Sequence, residues 1–156
     1  MLTTDQKGAI AEAKIVAAAL ELGVWVYVPF AQGGRTDMLF EIGTRLLRVQ
    51  CKWASLYRDV LVVRCCRARR NADGLLRQYY TADEVDLFAV YSAHDNRTYL
   101  IPFEDVPPGA VVQLRLTAAR NNQARRIRWA RTYEFAATLQ RLGAVAQLGE
   151  RAAGSR

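Results

Sequence analysis

One helical run opens the chain, and the remaining residues come mostly in short β-branched or aromatic runs closed by glycine, proline or polar turns; no other feature restricts the fold as much. Over residues 4–22 apolar side chains recur at helical spacing, Thr4 or Asp5 stands where a cap belongs, and Gly23 follows the last turn. Residues 24–28, closed by Pro29, read as a strand, and residues 36–42 and 45–52 as two more, joined at Gly43-Thr44 closely enough for a hairpin. A fourth strand is expected over 60–66. Residues 87–91 and 98–101 pair across Ala93-His94-Asp95-Asn96, and residues 133–142 have helical potential. The basic, polar stretch 67–83, with weak helical character around 75–80, is expected to be a mobile connection. Without internal repeats or a long linker, the pattern predicts a single α/β domain over residues 1–142 and a disordered tail over 143–156.

At 156 residues the chain matches the size of one hydrophobic core, and 51% apolar against 24% charged residues exclude a disordered chain. No apolar run approaches the roughly 20 residues of a membrane span, and the N-terminus lacks the basic-then-apolar order of a secretory signal. A cytoplasmic protein without a membrane partner is therefore expected. Cys51, Cys65 and Cys66 are odd in number and suit a reducing compartment. The excess of 22 basic over 15 acidic residues, a net charge of +7, favours a polyanionic partner.

His94 is the only histidine, which excludes a Cys/His zinc cluster, a two-histidine zinc protease and a nuclease with a histidine base. No glycine-rich phosphate loop with a following lysine occurs, so a nucleotide cofactor is not expected; Gly33-Gly34 reads as a turn.

Carboxylates and a lysine remain. On a helical wheel Ala9, Ala13, Val16, Ala19 and Leu20 share a face, and Glu12 falls among them. A carboxylate aimed at a core needs an ion-pair partner or a cation. Strand alternation groups Asp37 with Leu39 and Glu41, and Arg48 with Gln50 and Lys52. Antiparallel pairing of these strands brings Asp37 beside Gln50 and Lys52. Such a set suits phosphodiester hydrolysis. Asp37, Glu12, the Gln50 amide oxygen and the Cys51 carbonyl offer hard oxygen ligands to Mg²⁺, while Lys52 can handle a water proton and offset transition-state charge.

These residues resemble the PD-(D/E)xK nucleases, specifically the branch associated with group I introns and bacterial homing endonucleases; archaeal Holliday junction resolvases are also similar. The resemblance runs through Lys7-Gly8 with Glu12, Val28-Pro29-Phe30, Arg35-Thr36-Asp37, Leu47-Arg48-Val49-Gln50-Cys51-Lys52, Phe88-Ala89-Val90-Tyr91, and Arg120-Asn121-Asn122-Gln123 followed by Ile127-Arg128-Trp129. It implies a restriction-endonuclease-like mixed β-sheet flanked by helices, with catalytic Glu12, Asp37, Gln50 and Lys52. It also implies Mg²⁺, replaceable by Mn²⁺, as cofactor, and double-stranded DNA as substrate. Thr36 stands where the superfamily often has proline, and Gln50 replaces its second acid, which favours one metal over two. A junction resolvase, a repair nuclease and a non-catalytic nucleic-acid-binding module are the alternatives. A double-strand cut needs two active sites, hence a homo-oligomer.

Between Asp105 and Glu134 there is no acid, while Arg115, Arg120, Arg125, Arg126, Arg128 and Arg131 accumulate beside Asn121, Asn122, Gln123 and Trp129. Together with Arg35, the members Arg120, Asn121, Asn122, Gln123, Arg125, Arg126 and Arg128 form the expected DNA-binding set. The run Arg64-Cys65-Cys66-Arg67-Ala68-Arg69-Arg70 reads equally as a phosphate grip or as a solvated basic face with core cysteines.

Overall fold

The computed structural model describes residues 1–118 and 126–143. Helix α1 (Thr4–Glu21) is followed by β1 (Trp25–Tyr27), β2 (Met38–Ile42), β3 (Arg45–Trp53), β4 (Ser55–Tyr57), β5 (Val60–Arg64), β6 (Cys66–Asn71), β7 (Gly74–Tyr79), β8 (Leu87–Ser92), β9 (Arg97–Pro102), β10 (Val111–Arg115) and helix α2 (Phe135–Arg141). A five-stranded sheet has the order β1-β2-β3-β8-β9, a three-stranded sheet the order β10-β5-β4, and β6 and β7 form a two-stranded sheet. The pairing of β3 with β8 is parallel and its neighbours are antiparallel, so the main sheet is mixed as expected.

The two helices cover one face of the main sheet, where Ile15, Ala19, Phe40, Val49, Leu100, Phe135 and Leu139 form a core. The three-stranded sheet covers the other face through Leu61, Val63, Phe88, Val90, Tyr99, Ile101, Val112 and Leu114. Strand β8, Leu-Phe-Ala-Val-Tyr-Ser, is therefore buried along its whole length and reads as a continuous apolar run rather than an alternating one. Each fully buried Leu, Ile or Phe contributes about 1.5–3 kcal/mol of transfer free energy. Helix α2 is also tied to β9 by a buried hydrogen bond of 2.7 Å from Thr138 Oγ1 to the Leu100 carbonyl.

Three expectations are corrected. The cap of α1 is Thr3, which forms a capping box with Gln6: Thr3 Oγ1 accepts from the Gln6 N–H and Gln6 Oε1 from the Thr3 N–H. The packed face of α1 is Ala11, Ile15 and Ala19, while Ala9, Ala13 and Leu20 are exposed. In a helix so rich in alanine, several faces satisfy an apolar count, and the bulk of Ile15 decides among them. The stretch expected to be a mobile connection is the β6–β7 hairpin. Strands β4 and β10 lie in stretches to which the sequence pattern assigns no element. Of the tail expected over 143–156, residues 144–156 lie outside the described residues.

Candidate active site

The turn at Gly43, with φ +65°, sets the β2–β3 register so that Met38 opposes Val49. One residue further out, the Asp37 N–H donates to the Val49 carbonyl at 3.1 Å, which fixes the backbone of Asp37 against β3. Its Oδ2 then accepts from the Gln50 amide Nε2 and from the Cys51 N–H, both at 2.8 Å. Asp37 and Gln50 thus meet as strand pairing required. Cys51 enters through its N–H, and burial, followed by the charges of Asp37 and Glu12, pushes its thiol well above the ordinary range, so the sulfur is an inert neutral group.

Gln50 is buried, and its Oε1 has no hydrogen-bond partner. An orphaned acceptor of this kind loses the desolvation penalty of about 1–3 kcal/mol only when something satisfies it. Glu12 is not aimed into the core, as the wheel suggested; it is exposed at the flank of the packed face of α1. From there it lines a cleft of about 150 Å³ with Val28, Pro29, Gly33, Gly34, Thr36 and Asp37. Partial desolvation, then the nearby Asp37 charge, raises its pKa. Two carboxylates that repel each other, beside a buried unpartnered amide oxygen, suit a divalent cation. Among the described residues no three His, Cys, Asp or Glu side chains converge. The available donors are therefore Glu12, Asp37, Gln50 and main-chain oxygen, a hard-oxygen set that fits Mg²⁺ or Mn²⁺.

Lys52 is half-buried, two positions along β3 from Gln50. Its Nζ donates to the Cys66 carbonyl at 3.0 Å and lies 5.2 Å from the centre of the Tyr80 ring. Burial lowers its proton affinity, and the Arg67 charge adds to that, against the opposing pull of Cys65, Asp37 and Cys66. A lysine in this state exchanges a proton more readily than a free one.

By sequence Tyr80 reads only as a packing residue. Its ring packs edge-on against Phe88, yet its hydroxyl is buried without a partner, and burial pushes it up to about 12 with Arg67 opposing and Asp37 adding. Arg67 also lies at the cleft, donating to the Gly34 carbonyl at 3.3 Å. Tyr80 has no sequence signature and Arg67 only that of a basic run; the topology brings β6 and residue 80 to the end of β3.

The expected DNA-binding set is spread out. Arg35 is ion-paired with Glu84. Arg126 is exposed and Arg128 half-buried, and the Arg128 carbonyl accepts from the Arg115 N–H at 2.8 Å, which puts this segment at the end of β10. Among the described residues, neither Arg126 nor Arg128 forms a hydrogen bond or ion pair with the cleft. Arg120, Asn121, Asn122, Gln123 and Arg125 lie outside the described residues.

A family model of PD-(D/E)XK endonucleases matches residues 2–136. Among solved structures, that of a bacterial homing endonuclease, I-Ssp6803I, is similar to this chain with a TM-score of 0.74 and 26% identity, over 94% of this chain and 98% of that one. No curated protein sequence matches. Fold, sequence match and structural likeness agree, and the chain belongs to the PD-(D/E)XK endonuclease family.

Proposed function

We propose that this nuclease is an Mg²⁺-dependent endonuclease of double-stranded DNA, of the homing type, with Glu12, Asp37, Gln50 and Lys52 as its catalytic set. The observation that carries the reading is the meeting of Asp37 and Gln50 across β2–β3, with a buried unsatisfied amide oxygen on Gln50 and with Glu12 lining the same cleft as Asp37. Glu12, Asp37, Gln50 Oε1 and the Cys51 carbonyl would hold the cation. When bound, it supplies Lewis-acid polarisation of the phosphate and lowers the pKa of a water. Asp37 is oriented for this by its two accepted hydrogen bonds. Lys52 moves a proton at Nζ and offsets charge on the phosphate in the transition state. Likeness to the homing endonuclease I-Ssp6803I supports the homing role. Arg35, Arg126, Arg128 and the segment with Arg120, Asn121, Asn122, Gln123 and Arg125 would grip the duplex backbone.

Cutting both strands calls for two sites, and a homo-oligomer supplies them. The groove lined by Tyr27, Val28, Pro29, Leu39 and Leu46 beside edge strand β1, with Tyr27, Val28 and Leu46 exposed, is the apolar surface on which a second copy would sit. Sedimentation of Val28→Glu tests it: a monomer is expected, and an unchanged assembly overturns it.

Plasmid cleavage tests the chemistry. Linear and nicked products with Mg²⁺, and none with excess chelator or with Asp37→Ala, are expected; full cleavage in chelator overturns the assignment. Gln50, uncharged where the superfamily has an acid, favours a second reading as a DNA-binding module without catalysis. Tight duplex binding with no cutting, and cutting gained in Gln50→Glu, would establish that reading. Preference for four-way junctions over long duplexes would instead indicate a resolvase. No helix among the described residues is long and apolar enough to cross a membrane.

A further inference from the structure

We propose that the β6–β7 hairpin is a DNA-reading ribbon that lies in the major groove next to the catalytic cleft, with Arg69 and Gln78 at base edges. The proposal rests on the endonuclease reading and names the element that gives it sequence preference.

The hairpin forms its own two-stranded sheet, which touches the second core only at its root, through Cys66. Every residue of β7 is exposed, as is β6 from Ala68 onward. Such a ribbon without a buried face is marginal in water, so its side chains are arranged for something other than folding. It carries Arg67, Arg69, Arg70 and Arg77 against one acid, Asp73, and no ion pair forms on these arginines among the described residues. The surface is complementary to a polyanion.

Its root is the active-site cleft. Arg67 donates to the Gly34 carbonyl, and the Cys66 carbonyl accepts from Lys52. Opposed residues of an antiparallel pair project to one side. Arg67 opposes Gln78 and Arg69 opposes Leu76, so the face that begins at the cleft continues outward as Gln78, Arg69 and Leu76. Arg and Gln are the side chains that bond bidentately to guanine and adenine edges, and an apolar side chain meets the thymine methyl. Asn71, on the same face, is engaged by the tip, its Oδ1 accepting from the Asp73 N–H at 3.1 Å, and is not assigned to the bases. Arg70, Arg77 and Tyr79 project from the other face, where the two long arginines reach phosphates along the groove walls. Six residues per strand span about 20 Å, and a major groove about 12 Å wide admits a two-stranded ribbon.

Two exposed double variants test the proposal, each checked for an unchanged circular dichroism spectrum. Binding to a fluorescent 30-base-pair duplex is followed by anisotropy in chelator over a salt series. Arg70→Gln/Arg77→Gln should weaken binding and flatten the log–log salt slope by about 1.8, the loss of two phosphate contacts. Cleavage selection from a randomised duplex library with Mg²⁺ then reads the bases. Arg69→Ala/Gln78→Ala should still cut but lose discrimination by about tenfold or more at positions displaced from the cut. Unchanged slope with unchanged selected bases overturns the ribbon and leaves the nuclease reading intact. If the parent cuts nothing, the nuclease reading falls, and an unchanged salt slope would then overturn the ribbon, whereas a flattened one supports it. If the variants instead dissociate an oligomer while the slope per protomer is unchanged, the hairpin is a contact between copies and the proposal is wrong.

Discussion

Two hairpins with nearly equal claims to regular pairing do opposite work. In β2–β3 alternate residues of β2, and Leu47 and Val49 of β3, are buried against the helical layer. In β6–β7 both faces meet solvent beyond the root. The first holds Asp37 and Gln50 in contact at 2.8 Å because the strands beneath them cannot shift without disrupting Phe40, Met38 and Val49. The second leaves Arg69, Arg70 and Arg77 exposed and able to meet another surface. On the proposed reading, catalytic groups, which need fixed positions, sit on the buried hairpin, and recognition, which needs reach, sits on the exposed one.

The sharpest test of this contrast is functional. Lys52→Ala or Asp37→Ala should reduce cleavage by about 10²- to 10⁴-fold while duplex binding in chelator changes little. Cleavage by the parent should vanish on metal removal and return with Mg²⁺ or Mn²⁺. The rate should climb with pH as Lys52 loses its proton, and because burial lowers its pKa the rise should fall below the ordinary lysine range. Lys52→Arg, which stays charged, should remove that rise. A cleavage defect smaller than that of the ribbon variants would reverse the division of labour.

Stability should divide the same way. Leu100, fully buried on β9, should lose about 2–5 kcal/mol as Leu100→Ala, whereas exposed Leu75→Ala on the ribbon should stay within about 0.5 kcal/mol. Urea midpoints at constant slope decide this. A large loss in Leu75→Ala would show that the ribbon is part of the cooperative fold.

The same contrast explains what the amino-acid order disclosed. The β2–β3 pair is legible because one face is buried: alternation from Met38 to Ile42 and the short turn at Gly43 leave one register, and that register puts Asp37 beside Gln50. The ribbon is not, because with solvent on both faces nothing imposes a period of two on Arg67, Ala68, Arg69 and Arg70. The helical wheel points to Glu12 for a partly mistaken reason: it belongs with Asp37, but from the exposed flank of α1. Tyr80 and Arg67 reach the site only through the chain's route between β3 and β8, a long-range fact with no local pattern.

A further prediction concerns how the parallel pair β3–β8 is held at its entrance. Arg48 donates from its main chain and guanidinium to the Asp86 carboxylate, at 2.7 to 3.0 Å, and the Asp86 N–H returns a bond to the Arg48 carbonyl at 2.9 Å. Although burial acts to raise it, these bonds hold the Asp86 pKa below its ordinary value. A depressed carboxylate stabilises the fold above its unfolded pKa of about 3.9, and that stabilisation is lost as pH falls through the lower folded value. With solvent screening at a partly exposed pair, Asp86→Asn should cost about 1 kcal/mol at pH 7 and less at pH 3. Thermal melts at the two pH values check it; an equal loss at both would mean that the carboxylate charge is irrelevant.

The smallest effect should have the opposite sign. Glu12 has a raised pKa, so the folded chain holds its proton more tightly than the unfolded chain, and stability falls as pH rises through that value. At pH 7 the ionised Glu12 therefore opposes folding, beside the like charge of Asp37. Glu12→Gln removes that repulsion and should raise the melting temperature of the metal-free protein by a degree or two while cleavage is lost. Mg²⁺ should reverse the order. At tenfold over its dissociation constant a cation stabilises the parent by about 1.4 kcal/mol, and the variant, short of one carboxylate, should gain less. Melts with and without Mg²⁺ separate the two contributions. Equal gains in parent and variant would remove Glu12 from the cation site and leave its repulsion with Asp37 without a function.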